Sequence, residues 1–169
     1  MKNSTNTEKN SQRRLKFETL TRHNLLSAYH SVSIKEMQKD ALLTLIAKKH
    51  QIVMSQITIF ELSAKGAKYI KEGQLSPERV TRGISAIIYN DAIETIPMHD
   101  TTILQTAFKL RNMLNDFIDC LILSSAMNHS EAIITEDNEI QSLKKNTEFK
   151  NLVADQNPGF KILKLTEII

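Results

Sequence analysis

Hydrophobic positions along the 169-residue chain fall into short blocks with two alternating periods. LKFETLT, Leu15 to Thr21, alternates loosely and predicts a short strand. Ile34, Met37, Ala41, Leu42, Leu45 and Ile46 then recur at helical spacing, with Ser33 as candidate N-cap. HQIVMSQ predicts a strand over Ile52 to Met54 that ends at Ser55. The next helix carries Ile59, Phe60, Glu61, Leu62 and Ala64 in its opening turns. SPERV starts another, with Ser76 as N-cap and Pro77 in the first turn, where a missing N–H costs nothing. Val80, Ile84, Ile87 and Ile88 give that helix an apolar face.

AIETIPMH predicts a further short strand. Asp100 or Thr101 then caps a helix with Ile103, Leu104, Ala107, Phe108 and Leu114 on one side. Periodicity alone leaves Leu121 to Met127 open between buried helix and buried strand. Alternation with its neighbours favours a helix, followed by AIIT as a strand, and FKILKLTEII closes as the last strand. Strands separated by helical segments imply βαβ units. The expected fold is α/β: a single-domain, three-layer α/β/α arrangement with a mainly parallel sheet. Residues 14–169 would form the domain, and residues 1–13, polar throughout, a disordered tail.

Composition narrows this picture modestly. The chain is 41% hydrophobic and 24% charged, with 4 glycines and 3 prolines, which argues against a sandwich or a disordered chain. A net charge of +3 permits nucleic-acid contact without indicating it. Cys120 is the single cysteine, so no internal disulfide framework exists; it lies in an apolar run and reads as a buried thiol. No apolar stretch reaches membrane-spanning length and no secretory signal is visible, so a cytoplasmic protein without membrane contact is expected.

In parallel sheets functional groups gather beyond the carboxyl ends of the strands. That rule puts Ser55, Thr135, Glu136 and Asp137 at one edge, together with Glu61 and Asp119 in the opening turns of helices leaving it. A carboxylate among apolar neighbours is costly unless it is paired, hydrogen-bonded or bound to a cation. Converging carboxylates suit a hard divalent ion. Each acid also has an ordinary reading: Asp119 as an N-cap or first-turn acid, Asp137 as a cap for the helix that follows, and Glu61 as a first-turn acid. Taken singly, those readings have the greater weight. The five histidines are scattered, and the glycines form no phosphate-binding loop.

The order of motifs adds information. IVMSQITIFELSAKG and IDCLILSSAMNHSEAIITEDNEI, with eighteen positions from Asp119 to Asp137, resemble the PIN-domain family of nucleases. That family includes the VapC-like toxin ribonucleases of toxin–antitoxin pairs. The resemblance spans roughly Ile34 to Ile169 and is moderately specific motif by motif, stronger in the combined order. It implies Mg²⁺ or Mn²⁺ held by Glu61, Asp119 and Asp137, with Ser55, Thr135 and Asn24 lining the pocket. Asp116 would be an extra carboxylate or a cap. RNA would be the substrate, a small antitoxin the partner, and a homodimer the assembly.

One departure matters. The family opens with a strand ending in Asp-Thr-Asn or similar, and aligning NLLSA keeps Asn24 but puts Arg22 where the first acid belongs. Glu18, four residues earlier, would lie about 13 Å away along a strand. A guanidinium there would compete with metal and neutralise the site. The alternative expectation is therefore a catalytically impaired PIN-like domain acting as an RNA- or protein-binding module.

Overall fold

A computed structural model describes residues 16–20 and 50–168. The expected tail, the helix after Ser33, Arg22 and Asn24 lie outside the described residues. The described elements run β1 (Lys16–Leu20), β2 (Gln51–Ser55), α1 (Gln56–Lys71), α2 (Pro77–Ile88), β3 (Ile93–Ile96), α3 (Thr101–Leu110), α4 (Phe117–His129), β4 (Ala132–Thr135), α5 (Asn138–Ser142), α6 (Thr147–Gln156) and β5 (Lys161–Leu163). Short 3₁₀ turns occupy Leu143–Lys145 and Leu165–Glu167.

The five strands form one sheet in the order β3-β2-β1-β4-β5, and every neighbouring pair is parallel. β1 is central. The chain moves outward from it through β2 to β3, then crosses back to place β4 on the other side. The gap above the carboxyl ends of β1 and β4 is therefore the switch point, where open α/β sheets form their crevice.

Period-two alternation explains why the strands read as continuous apolar runs. Val53 and Ile133 enter a core with α3, α4 and α6, while Ile52, Met54 and Ile134 enter a second core containing Leu62 and Ile87 on the opposite face. Both faces are covered, as a parallel sheet requires. The same pressure shapes α4, in which every residue from Asp119 to Met127 is buried. It packs against β2, β4, α1, α3 and α6, so the helix has no solvent-facing stripe over that span. The ambiguous Leu121 to Met127 segment is thus helical.

Local chemistry sets the helix ends. Ser55, Ser76, Asp100, Asp116, Asp137 and Asn146 each accept a backbone N–H in the first turn of the helix that follows. Each such cap is worth about 1 kcal/mol. Helix α1 ends where Gly73 adopts φ 71°, a left-handed conformation that other residues enter only at a steric cost. Inside α1, Gly66 lets Val80 of α2 approach so closely that an added Cβ would collide with its Cγ1.

Three expectations need correction. FKILKL is a strand only over Lys161–Leu163; a 3₁₀ turn over Leu165–Glu167 replaces the rest, fixed by Glu136, which accepts the Leu165 N–H at 3.0 Å. Leu114 lies beyond the end of α3, although it is buried in the same core. Phe60, Ile88 and Phe108 are exposed; Phe60 and Phe108 face away from the sides of α1 and α3 that bury Ile57, Leu62, Ile103 and Ala107.

Candidate functional site

Strand register fixes the floor of the candidate site. Leu20 of β1 is level with Thr135 of β4. Glu18 is level with Val53, so Ser55, two residues further along β2, reaches the same height. Ser55 and Thr135 are both buried there. Ser55 caps α1 by accepting the Ile57 N–H at 3.3 Å. Thr135 Oγ1 accepts the Asp137 N–H at 3.0 Å, which ties the acid's backbone to the strand end. Glu18 pairs mid-strand with Val53 and Ile133, two residues short of that edge.

Helix α4 brings Asp119 to the same edge. Only Ser130 and Glu131 separate its last residue from β4, so the helix must run back along the strand. Its 13 residues rise about 20 Å, enough to carry the first turn past the end of a four-residue strand. A direct link fixes the approach: Glu139 Oε1 accepts both the backbone N–H and the side-chain amide of Asn115, each at 2.8 Å. Asn115 precedes α4 and Glu139 opens α5, so the N-termini of these two helices adjoin.

The acids at this edge have different surroundings. Asp116 is exposed and is the N-cap of α4, with Oδ1 accepting the Ile118 N–H at 2.8 Å. Asp137 is half-buried and caps α5, its Oδ1 accepting N–H bonds from Glu139 at 2.8 Å and Ile140 at 3.1 Å. Glu136 points away to Leu165. Asp119 stands apart: it is 2% exposed, the one charged side chain in the buried interior of the described residues. It lies in the first turn of α4, where the helix dipole favours negative charge. Glu61 is half-buried in the second turn of α1, one turn deeper than the first-turn position expected for it.

Cys120, adjacent to Asp119, is fully buried. Burial pushes its thiol pKa up; Asp119 and Asp116 add to that, and Arg111 opposes it. A thiol held protonated is a packing group and a poor nucleophile.

Among the described residues, no three His, Cys, Asp or Glu side chains are close enough to enclose a metal ion. A closed cage is not what Mg²⁺ requires, because that ion keeps several waters and takes one or two carboxylates. Asp119 is buried and Asp137 and Glu61 are half-buried, and each carboxylate is a hard oxygen donor of the right kind.

The PIN domain model matches residues 23–146, well over half of the chain. This chain belongs to the PIN-domain family. Within the PIN match lie Asn24, Ser55, Glu61, Asp116, Asp119, Thr135 and Asp137, whereas Arg22 stands one residue before it. A chain from the VapBC2 structure of Rickettsia felis, solved with a DNA fragment from their promoter, has the same fold, with a TM-score of 0.59. It is 16% identical, and the alignment covers 89% of this PIN protein and 98% of that chain. No curated protein matches the sequence.

Three side chains organise the PIN edge: Gln141 and Glu139 were not anticipated from the sequence, and Glu136 was expected at this edge but without a role. Gln141 donates to the carbonyls of Thr135 (2.8 Å) and Leu163 (3.2 Å), clamping the ends of β4 and β5. Glu139 and Glu136 make the links to Asn115 and Leu165 described above. Glu136 and Glu139 bind partners more than twenty residues away, and no local pattern announces them.

Proposed function

We propose that this PIN protein is a metal-dependent endoribonuclease, the toxin of a toxin–antitoxin pair. The observation that carries the reading is Asp119: a carboxylate buried in the first turn of α4, at the switch-point edge of a PIN fold. Desolvating a carboxylate is expensive, and a cation at the edge offsets that cost.

Glu61, Asp119 and Asp137 would hold Mg²⁺ or Mn²⁺. Such an ion supplies a bound water of lowered pKa and charge stabilisation at the phosphodiester. The chain's own part is orientation. Thr135 holds the Asp137 backbone, Asp137 Oδ1 is fixed by two N–H groups, and α4 rigidly presents Asp119 from a fully packed helix. RNA is the proposed substrate, with a small antitoxin as partner, a homodimer as assembly and the cytoplasm as location. The fold shared with a chain of VapBC2, itself bound to a promoter DNA fragment, supports the antitoxin part of this reading.

The test is RNA cleavage with Mg²⁺ or Mn²⁺, lost in Asp119→Asn. Clean protein that cuts no RNA with either metal overturns it.

Arg22 favours a second reading, in which the domain binds RNA or protein without cutting. It predicts no Mn²⁺ binding by calorimetry in the native chain, and binding restored by Arg22→Asp. Strong binding by the native protein refutes it.

A further inference from the structure

Away from the acidic edge, a cavity of about 460 Å³ opens between α6 and β5. Its floor is apolar, formed by Phe149, Val153, Phe160 and Ile162, which continue the main core to the surface. Lys144, Lys150 and Lys161 surround it; the single lining acid, Glu167, is already engaged by Lys144 at 3.5 Å. The rim therefore carries a net positive charge around an apolar floor.

The wall of the cavity is the outer edge of the sheet. Among the described residues β5 is the terminal strand, bonded only to β4. The Lys161 N–H donates to Glu131 at 3.0 Å and the Leu163 carbonyl accepts from Gln141, which also holds β4, so both residues turn their backbone polar groups inward. Backbone direction alternates along a strand, so the N–H and C=O of Ile162 turn outward. Ile162 itself is 5% exposed and is reached through the cavity it lines; an unpaired strand edge of this kind is a template for another strand.

We propose that this cavity and the β5 edge form a docking site for an extended peptide of a protein partner, acidic and apolar in alternation. The peptide's backbone pairs with Ile162, an apolar side chain enters the cavity, and carboxylates on either side meet Lys150 and Lys161. Charge complementarity selects this occupant: a basic segment meets the three lysines, and a wholly polar one leaves the apolar floor unfilled. The site is independent of the acidic edge and of the nuclease reading.

The probe is a fluorescein-labelled octapeptide alternating glutamate with leucine, titrated against the full chain by fluorescence anisotropy. Saturable binding is expected, weakened roughly tenfold by Lys150→Glu with Lys161→Glu, and weakened again by raising salt from about 50 to about 500 mM. Ala154→Phe fills the cavity from its exposed rim and should abolish binding while the thermal melt stays unchanged. Backbone N-methylation of the peptide should also abolish it, and binding should slow hydrogen exchange at the Ile162 amide. The proposal is overturned if a lysine–leucine peptide binds as well, if Ala154→Phe or N-methylation leaves binding intact, or if no saturable binding occurs. Displacement of the peptide by a single-stranded RNA that depends on the same lysines also overturns it, by making the groove a nucleic-acid surface.

Discussion

Asp137 has two roles that substitution can separate. Its Oδ1 accepts two first-turn N–H groups of α5, a helix of only five residues. Asp137→Ala leaves both donors without their cap. Replacing an N-cap by alanine costs about 0.5–2 kcal/mol, and with two bonds lost the upper part of that range applies, about 1.5–2 kcal/mol. For a domain of this size that lowers Tm by roughly 3–8 °C. Asparagine keeps an oxygen in the same place and caps as well as aspartate, so Asp137→Asn should stay within a few tenths of a kcal/mol of the native protein. It removes the negative charge, however. If that charge contributes about 3 kcal/mol through a bound cation, RNA cleavage falls roughly 150-fold and Mn²⁺ binding weakens. Urea unfolding, Mn²⁺ calorimetry and RNA cleavage on both variants make the comparison. An Asp137→Asn protein that cleaves RNA and binds Mn²⁺ like the native one would show that the carboxylate is only a cap, and Asp137 would leave the proposed site.

The fold supports further predictions. Ser124→Ala removes the 2.5 Å bond to the Ile103 carbonyl, which keeps its helical partner within α3, so urea stability should fall by about 0.5–1.5 kcal/mol. Gly66→Ala drives a methyl group into Val80; a loss of about 1–3 kcal/mol is expected, with partial recovery when Val80→Ala is added. Cys120 should resist alkylation in native protein at pH 8 and react only on unfolding, because it is buried and its pKa is raised. The linkage has a definite sign: the unfolded thiol ionises first, so stability falls as pH rises past the ordinary thiol value of 9.0, and Cys120→Ala should remove that component from the pH dependence of Tm.

Much of the architecture was legible before any coordinates. Ser76 followed by Pro77 marked a helix start because a hydroxyl and a missing N–H solve the same end problem. IVMS and AIIT were legible as buried strands because a parallel sheet covered on both faces needs apolar residues at every position. Asp119 and Asp137 were also legible as candidates, since each acid adjoined such a run. Sequence could not say how differently the two are held: one enclosed in the interior, the other capping α5 from the half-buried rim.

Tertiary structure alone decided the rest. Helix α4 has no polar face because it is enclosed by β2, β4, α1, α3 and α6, a fact of packing that its composition could only permit. The strand order 3-2-1-4-5 put the switch point beside Thr135. Glu139 to Asn115, Glu136 to Leu165 and Gln141 across two strands then locked the edge in place. Local sequence sets caps and periodicity because those forces act within one turn. The acidic edge and the β5 cavity arise from contacts between distant segments, which only the folded chain brings together.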